Sequence, residues 1–259
     1  MSKITIPESF PNLPSSVQKI QKIFATNSID IVTLVNLLQE EPLLCANILK
    51  LVNSPHYGLT AKISSINSAV TLLGTTVVRG IIMATILKKS FPLNLSPYKI
   101  SIEQFDAICI VRTKLLKEWH IDKNLDLTTL FSAAFLMESG KIVASNEILK
   151  SGFLDNFLEL CNNSTIFEAE KVLFEKSSYE IASLLFKQWE FDDAFIKLIS
   201  NIANPLATED KILHVIATAI SSEVILEDKN IQAATELLTD YGLDIAAFTE
   251  AVEKIKRER

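Results

Sequence analysis

The sequence predicts an all-α protein, built as two helical lobes. Three observations carry that expectation. Apolar residues recur with a helical period along almost all of the 259 residues, and no stretch alternates with period two for long enough to make a strand. Ser, Thr and Asp stand immediately ahead of the periodic runs, where a side-chain oxygen can take the first unpaired amides. Six glycines are too few for a turn-rich β architecture or a glycine-dependent phosphate cradle.

The elements follow in order. After LPSS, Ser15 or Ser16 caps a helix that aligns Val17, Ile20, Ile23 and Phe24. Asp30 caps a second helix carrying Ile31, Leu34, Val35 and Leu38. Glu40-Glu41-Pro42 breaks the chain and restarts it, because proline at a first helical position lacks only an N–H that had no partner. That third helix runs to about Asn53, with Leu44, Ile48, Leu51 and Val52 inward. Ser64 or Ser65 opens a fourth helix ending at Gly74, read as a left-handed C′ residue. A fifth, over 76–89, aligns Val77, Ile81, Ala84 and Leu87 and places Lys88-Lys89 where the helix dipole favours them.

The stretch FPLNLSPYKIS, 91–101, has two prolines and no period, so it is the expected internal boundary. Ser101 and Gln104 form a capping box for a long helix reaching His120. Further helices are expected over 127–138, 140–150, 153–161, 165–174, 178–189, 192–202, 208–221, 231–239 and 243–256, with a second capping box at Ser177 and Glu180. The chain thus divides into a first lobe over about 8–90, a linker over about 91–101, a second lobe over about 102–205, and a helical extension, 206–259, packed on the second lobe.

Composition narrows the function. Hydrophobic residues make up 48% and charged residues 22%, a globular mixture long enough to bury roughly three quarters of its unfolded surface. A net charge of −6 repels a phosphate backbone, so nucleic acid is not an expected partner, and the terminal KIKRER reads as a solvated helix end. The opening MSKITIPESFPNLP has no apolar core of a signal sequence, and the longest apolar run, GIIMATIL, is too short to span a bilayer. A cytoplasmic location without membrane insertion is expected. Cys45, Cys109 and Cys161 form no CxxC pair and sit beside aliphatic residues, as small core hydrophobes do.

The histidines make no constellation. His56, His120 and His214 are far apart in sequence, so no HxxxH or HExxH pair exists. His120 follows Trp119 at a helix end, where the dipole favours an imidazole. His214 falls about 200° round its helix from Ile212 and Ile216, on the wet or intermediate face. No GxSxG, Walker, Rossmann or kinase signature occurs. The acidic pairs Glu40-Glu41 and Asp192-Asp193 are neighbours in sequence, which do not face each other on a helix.

The first ninety residues nevertheless carry a pattern. Leu13-Pro14, Glu41-Pro42, Asn53-Ser54 with Tyr57-Gly58, Ala69 with Leu73-Gly74, and Arg79 follow one another in the order of the HDOD domain, which this chain resembles over about 8–205. Ser15-Ser16 stands where that family has a second Leu-Pro. The family is similar to HD phosphohydrolases, whose His and Asp side chains hold one or two metals. The segment AAFLMESGKIV, 133–143, lines up with the hydrolase pattern in which a His-Asp pair precedes Ile-Gly-Lys, and it has Met137-Glu138 at the pair. The remaining ligand positions fall at or near Ile108, Tyr179 and Ile202-Ala203. A thioether, one carboxylate, a phenol and aliphatic groups cannot hold Mg²⁺, Mn²⁺ or Fe²⁺. The resemblance therefore implies a degenerate HD domain with no metal, no cofactor and no enzymatic activity. Glu138 is expected at a helix end, facing solvent or paired with Lys141.

The NSPHYG turn reads as a shaping element. Asn53 and Ser54 cap backbone groups, Pro55 stops the helix, Tyr57 buries its ring, Gly58 permits a positive φ, and His56 stays exposed. With Gly74 and Arg79, these motif residues are the candidate docking surface. The resemblance implies a stand-alone bacterial signal-transduction protein that binds protein partners, in settings such as motility or chemotaxis. The alternative is a receptor for a nucleotide or other small ligand in the vestigial HD cavity. That reading needs an Arg or Lys cluster around the cavity. The aligned positions supply none, although Arg112 and Lys141 are near in sequence.

Overall fold

The computed structural model describes residues 3–13, 18, 31–39, 41–57, 59–119, 125–221 and 225–258. Their regular structure is helical, and the one β feature among them is an isolated antiparallel bridge between Ile220 and Ile225. In chain order the helices are α1 (Ile31–Gln39), α2 (Pro42–Val52), α3 (Ile66–Ser90), α4 (Ile102–Glu118), α5 (Leu127–Leu136), α6 (Ser139–Ser151) and α7 (Leu154–Asn163). They continue with α8 (Ile166–Phe174), α9 (Ser178–Gln188), α10 (Asp193–Asn201), α11 (Thr208–Ala219), α12 (Asp228–Tyr241) and α13 (Ile245–Arg257). Short 3₁₀ turns occupy Pro55–Tyr57 and Ser96–Tyr98. The expected helix over Val17–Phe24, its caps Ser15 and Ser16, and Pro14, Asp30, Glu40, Gly58, His120 and the side chain of His56 lie outside the described residues.

Local chemistry sets the helix starts. Pro42 opens α2, Ser65 Oγ accepts from Ser68 N at 3.1 Å to open α3, and Ser101 and Gln104 cap α4 reciprocally. The box at Ser177 and Glu180 opens α9, and a third box, Thr165 with Glu168, opens α8. At Gly74 the expectation needs correction. The two helices read on either side of it meet without a loop, their arms crossing at 107°, and Gly74 has φ +79° and ψ 158°. That is not the left-handed helical cap geometry but an extended conformation of positive φ, which is essentially reserved for glycine.

The first helices, α1 and α2, pack on α3, whose second arm packs in turn on α5. Helix α4 packs along α5, α6 along α9, and α9 along α10. Helices α6 and α9 approach closely at Gly140, where a Cβ would lie 1.8 Å from the Ser178 carbonyl oxygen. The C-terminal helices close over α4 and α5: α11 packs on both, α12 on α11, and α13 on α4. Trp119 meets the Phe248 ring edge-on at 5.1 Å there. The segment ahead of α1 is tied to α8 and α9, through Ile4 N to Leu173 O at 2.8 Å and paired bonds between Phe10 and Gln188 at 2.6 Å. Among the described residues, Leu127–Ser151 is long and apolar enough to cross a membrane, but 78% of that window is buried, as in a core helix pair.

Candidate functional site

A cavity of about 550 Å³ opens between α4, the α5–α6 junction, the starts of α8 and α9, the end of α10, and α11–α12. Its polar centre is built from charges placed on apolar helix faces. Arg112 lies on α4 among Ile108, Cys109, Val111, Leu115 and Leu116, and is 1% exposed. Glu138 sits at the turn between α5 and α6 and is 2% exposed, and Lys141, three residues on, is 6% exposed. Arg112 Nη1 meets Glu138 Oε1 at 2.5 Å, and Lys141 Nζ meets Glu138 Oε2 at 2.5 Å. Arg112 also donates from Nε and Nη2 to the Ile220 carbonyl, at 2.9 and 2.5 Å. Burial by itself would raise the Glu138 pKa, but the two cations outweigh it and hold the carboxyl down at about 2.

A second buried carboxyl adjoins this triad. Glu170, on α8, accepts from the Tyr98 hydroxyl at 2.9 Å and from Ser178 N at 2.6 Å, so it ties the 3₁₀ turn ahead of α4 to the start of α9. Burial pushes it up to about 7, against the opposing pull of Lys141 and the two hydrogen bonds. Lys141 Nζ lies 5.4 Å from the centre of the Tyr98 ring. His214, which also lines the cavity, is half-buried, as its helical phase predicted, with Nδ1 2.8 Å from the Tyr241 hydroxyl.

The aligned positions divide. Glu138, Tyr179, Ile202 and Ala203 all line the cavity, whereas Ile108 and Met137 are buried in the core. On α4 the cavity is met instead by Arg112, one helical turn beyond Ile108. Glu138 pairs with Lys141 but does not face solvent, because both its oxygens are occupied inside the fold. The absence of an Arg or Lys cluster also needs correction, since Arg112 and Lys141 both reach the cavity. Glu170 and Tyr98 were not singled out from sequence. Their signal was a charge at a buried helical phase: Glu170 lies three and four residues ahead of Leu173 and Phe174, and all three are buried.

A divalent metal of the kind HD folds hold does not fit these residues. Ile202 and Ala203 offer no donor, and Glu138 already spends both oxygens on side-chain cations. Among the described residues, no three His, Cys, Asp or Glu side chains converge on one point.

The motif turn forms a separate surface. Asn53 Nδ2 donates to Leu49 O at 2.7 Å and to Ile63 O at 2.8 Å, while its Oδ1 accepts from Ile63 N at 2.8 Å. One side chain thereby closes the end of α2 and fixes the loop that leads to α3. Ser54 Oγ is buried without a partner among the described residues, so it caps nothing there. Pro55 begins the 3₁₀ turn three residues past the end of α2. The Tyr57 ring is half-buried in a groove with Leu72, Val77, Ile110 and Phe131. Arg79 departs from a docking role: it is buried, with its guanidinium 5.4 Å from the centre of the Phe191 ring.

The HDOD domain family matches residues 10–205. The chain belongs to the HDOD family. The match ends before α11, so the His214 wall and the Ile220 carbonyl held by Arg112 lie beyond it. Among solved structures, a virulence factor from Campylobacter jejuni subsp. jejuni is 26% identical, with 97% of this chain and 93% of that one covered and a TM-score of 0.55. An HDOD domain protein of unknown function from Geobacter sulfurreducens is 19% identical, covering 96% and 92%, with a TM-score of 0.66. A candidate phosphohydrolase from Shewanella amazonensis SB2B is 17% identical, covering 95% and 90%, with a TM-score of 0.71. These last two share the all-α HD-like fold with this HDOD chain. No curated protein matches it.

Proposed function

We propose that this HDOD protein is a bacterial, cytoplasmic signal-transduction component that works by contact with protein partners and not by catalysis. The observation that carries the reading is the Arg112–Glu138–Lys141 triad, which occupies the centre of the HD-like cavity with side chains paired to one another where metal ligands would stand. The contact surface is the groove around Tyr57, where Leu59 and Leu72 are 37% and 47% exposed and the Asn53 bonds hold the turn rigid. Motility or chemotaxis is the expected setting. The test is affinity capture from native lysate with the wild-type chain and with Leu59→Asp/Leu72→Asp, beside a phosphodiesterase assay with Mn²⁺. Partners lost in the double variant support the proposal; metal-dependent turnover sinks it.

A second reading has its own observation. The cavity has the volume of a small-molecule site and holds Arg112 and Lys141, so a ligand could set the state of the contact surface.

A further inference from the structure

We propose that the cavity is a metal-free site for a small organic monoanion, whose acid group meets Arg112 and Tyr179 and whose apolar body lies against Ile166, Phe167 and Ile202. The proposal rests on the second reading above and gives its ligand a chemical class.

The unspent hydrogen-bonding capacity of the cavity points to an acceptor. Arg112 uses three of its five N–H groups on Ile220 and Glu138, and one N–H on each of Nη1 and Nη2 is left without an acceptor among the described residues. A buried guanidinium in that state is costly unless something else accepts from it. Tyr179, in the first turn of α9, likewise has no hydrogen-bond partner for its hydroxyl among the described residues, and it lies close enough to Arg112 and Glu138 for their charges to act on it. The first turns of α8 and α9 open into the same space, adding the positive ends of two helix dipoles.

Charge count limits the ligand to a single negative charge. Arg112 and Lys141 contribute two positive charges, and Glu138 removes one. The balance is set by Glu170, which titrates near neutrality. Its surroundings are Tyr98 from the turn ahead of α4, Cys161 from α7, Glu138 and Lys141 from the α5–α6 junction, Arg112 from α4, and Tyr179 from α9. His214, which lines the cavity from α11, has its pKa lowered by burial. With Glu170 protonated the cavity carries one net positive charge, and a bound anion in turn favours that protonation. A di- or triphosphate would bring more negative charge than that single net positive charge can offset. Phe167, Ile166, Ile202 and Ala203 supply an apolar wall suited to a carbon skeleton.

The test uses the full chain with benzoate as probe, ATP and inorganic phosphate as competitors, and calorimetric titration between pH 6 and 8. Benzoate should bind, and its affinity should fall about tenfold across that range, as linkage to one proton requires. Glu170→Gln should bind it without that pH dependence. Tyr179→Phe should weaken binding several-fold while leaving the melting temperature of the free protein unchanged. Binding of ATP more tightly than benzoate would overturn the monoanion assignment and leave the receptor reading standing. If none of the three probes binds, both fall. Wild-type binding and pH dependence in Tyr179→Phe and Glu170→Gln would overturn the assigned geometry.

Discussion

Removing Glu138 should expose how the buried triad is coupled. Glu138→Leu leaves Arg112 and Lys141 charged inside the fold, at 1% and 6% exposure. Breaking a buried pair by deleting one partner costs about 3–5 kcal/mol, because the remaining charge is uncompensated. Arg112 still keeps its two bonds to Ile220 O, and Lys141, the less enclosed of the two, can move its ammonium towards water. The expected loss is therefore at the lower end, about 3 kcal/mol. Arg112→Met should cost about as much, since it leaves the Ile220 carbonyl unpaired and Glu138 with one cation. Replacing all three, as Arg112→Met, Glu138→Leu and Lys141→Met, removes every buried charge of the triad at once. Such replacements are often neutral or stabilising by about 1–4 kcal/mol, against about 1–3 kcal/mol for the orphaned carbonyl. The triple variant should fall within about 2 kcal/mol of wild type. Urea unfolding followed by far-ultraviolet dichroism measures each midpoint, with equal slopes required for comparison. A triple variant whose loss equals the sum of the singles would refute the coupling.

Gly140→Ala should be among the most damaging single changes in the chain. Its Cβ would lie 1.8 Å from Ser178 O and 2.9 Å from Ala182 N, both backbone atoms that no rotamer change can move. Separating α6 from α9 also strains the Ser178 N bond to Glu170, so a loss of about 3–5 kcal/mol is expected in urea unfolding. Asn53→Ala removes three hydrogen bonds to the backbone and should cost about 1–3 kcal/mol, with faster hydrogen exchange at Ile63 as its local signature. The two buried carboxyls act oppositely on the pH profile of melting. Glu138, held at about 2 against an ordinary 4.5, stabilises above pH 4.5 and loses that contribution as the pH falls towards 2. Glu170, raised to about 7, holds its proton longer in the folded chain than in the unfolded one, so stability declines between pH 4.5 and 7 and then levels off. Glu170→Gln should abolish that decline and melt above wild type at pH 8; an unchanged profile would contradict the assignment.

Helix content and the element order were legible because they depend on neighbours in sequence. Apolar spacing places Leu34, Val35 and Leu38 on one face of α1, and the boxes at Ser101 and Ser177 close between residues three apart. The family followed from turn residues such as Asn53 and Gly74, whose geometric tasks admit few side chains. The cavity was only half legible. Glu138, Tyr179, Ile202 and Ala203 could be aligned to it, but Arg112 is 26 positions from Glu138 and 108 from Ile220, and no local period records such distances.

The sequence by itself determined an all-α chain of the HDOD type, and its likeness to HD phosphohydrolases implied that most of the aligned ligand positions carry groups unlike the His and Asp of that pattern. Tertiary structure decided what took their place. Periodicity reports which face of a helix is apolar, so charged residues on such a face read as exceptions until the helices are brought together. Packing α4, α6 and α8 around one space makes Arg112, Glu138, Lys141 and Glu170 into a single interacting cluster. Its protonation and charge balance come from mutual distance and burial, which are properties of the folded chain and of no segment within it.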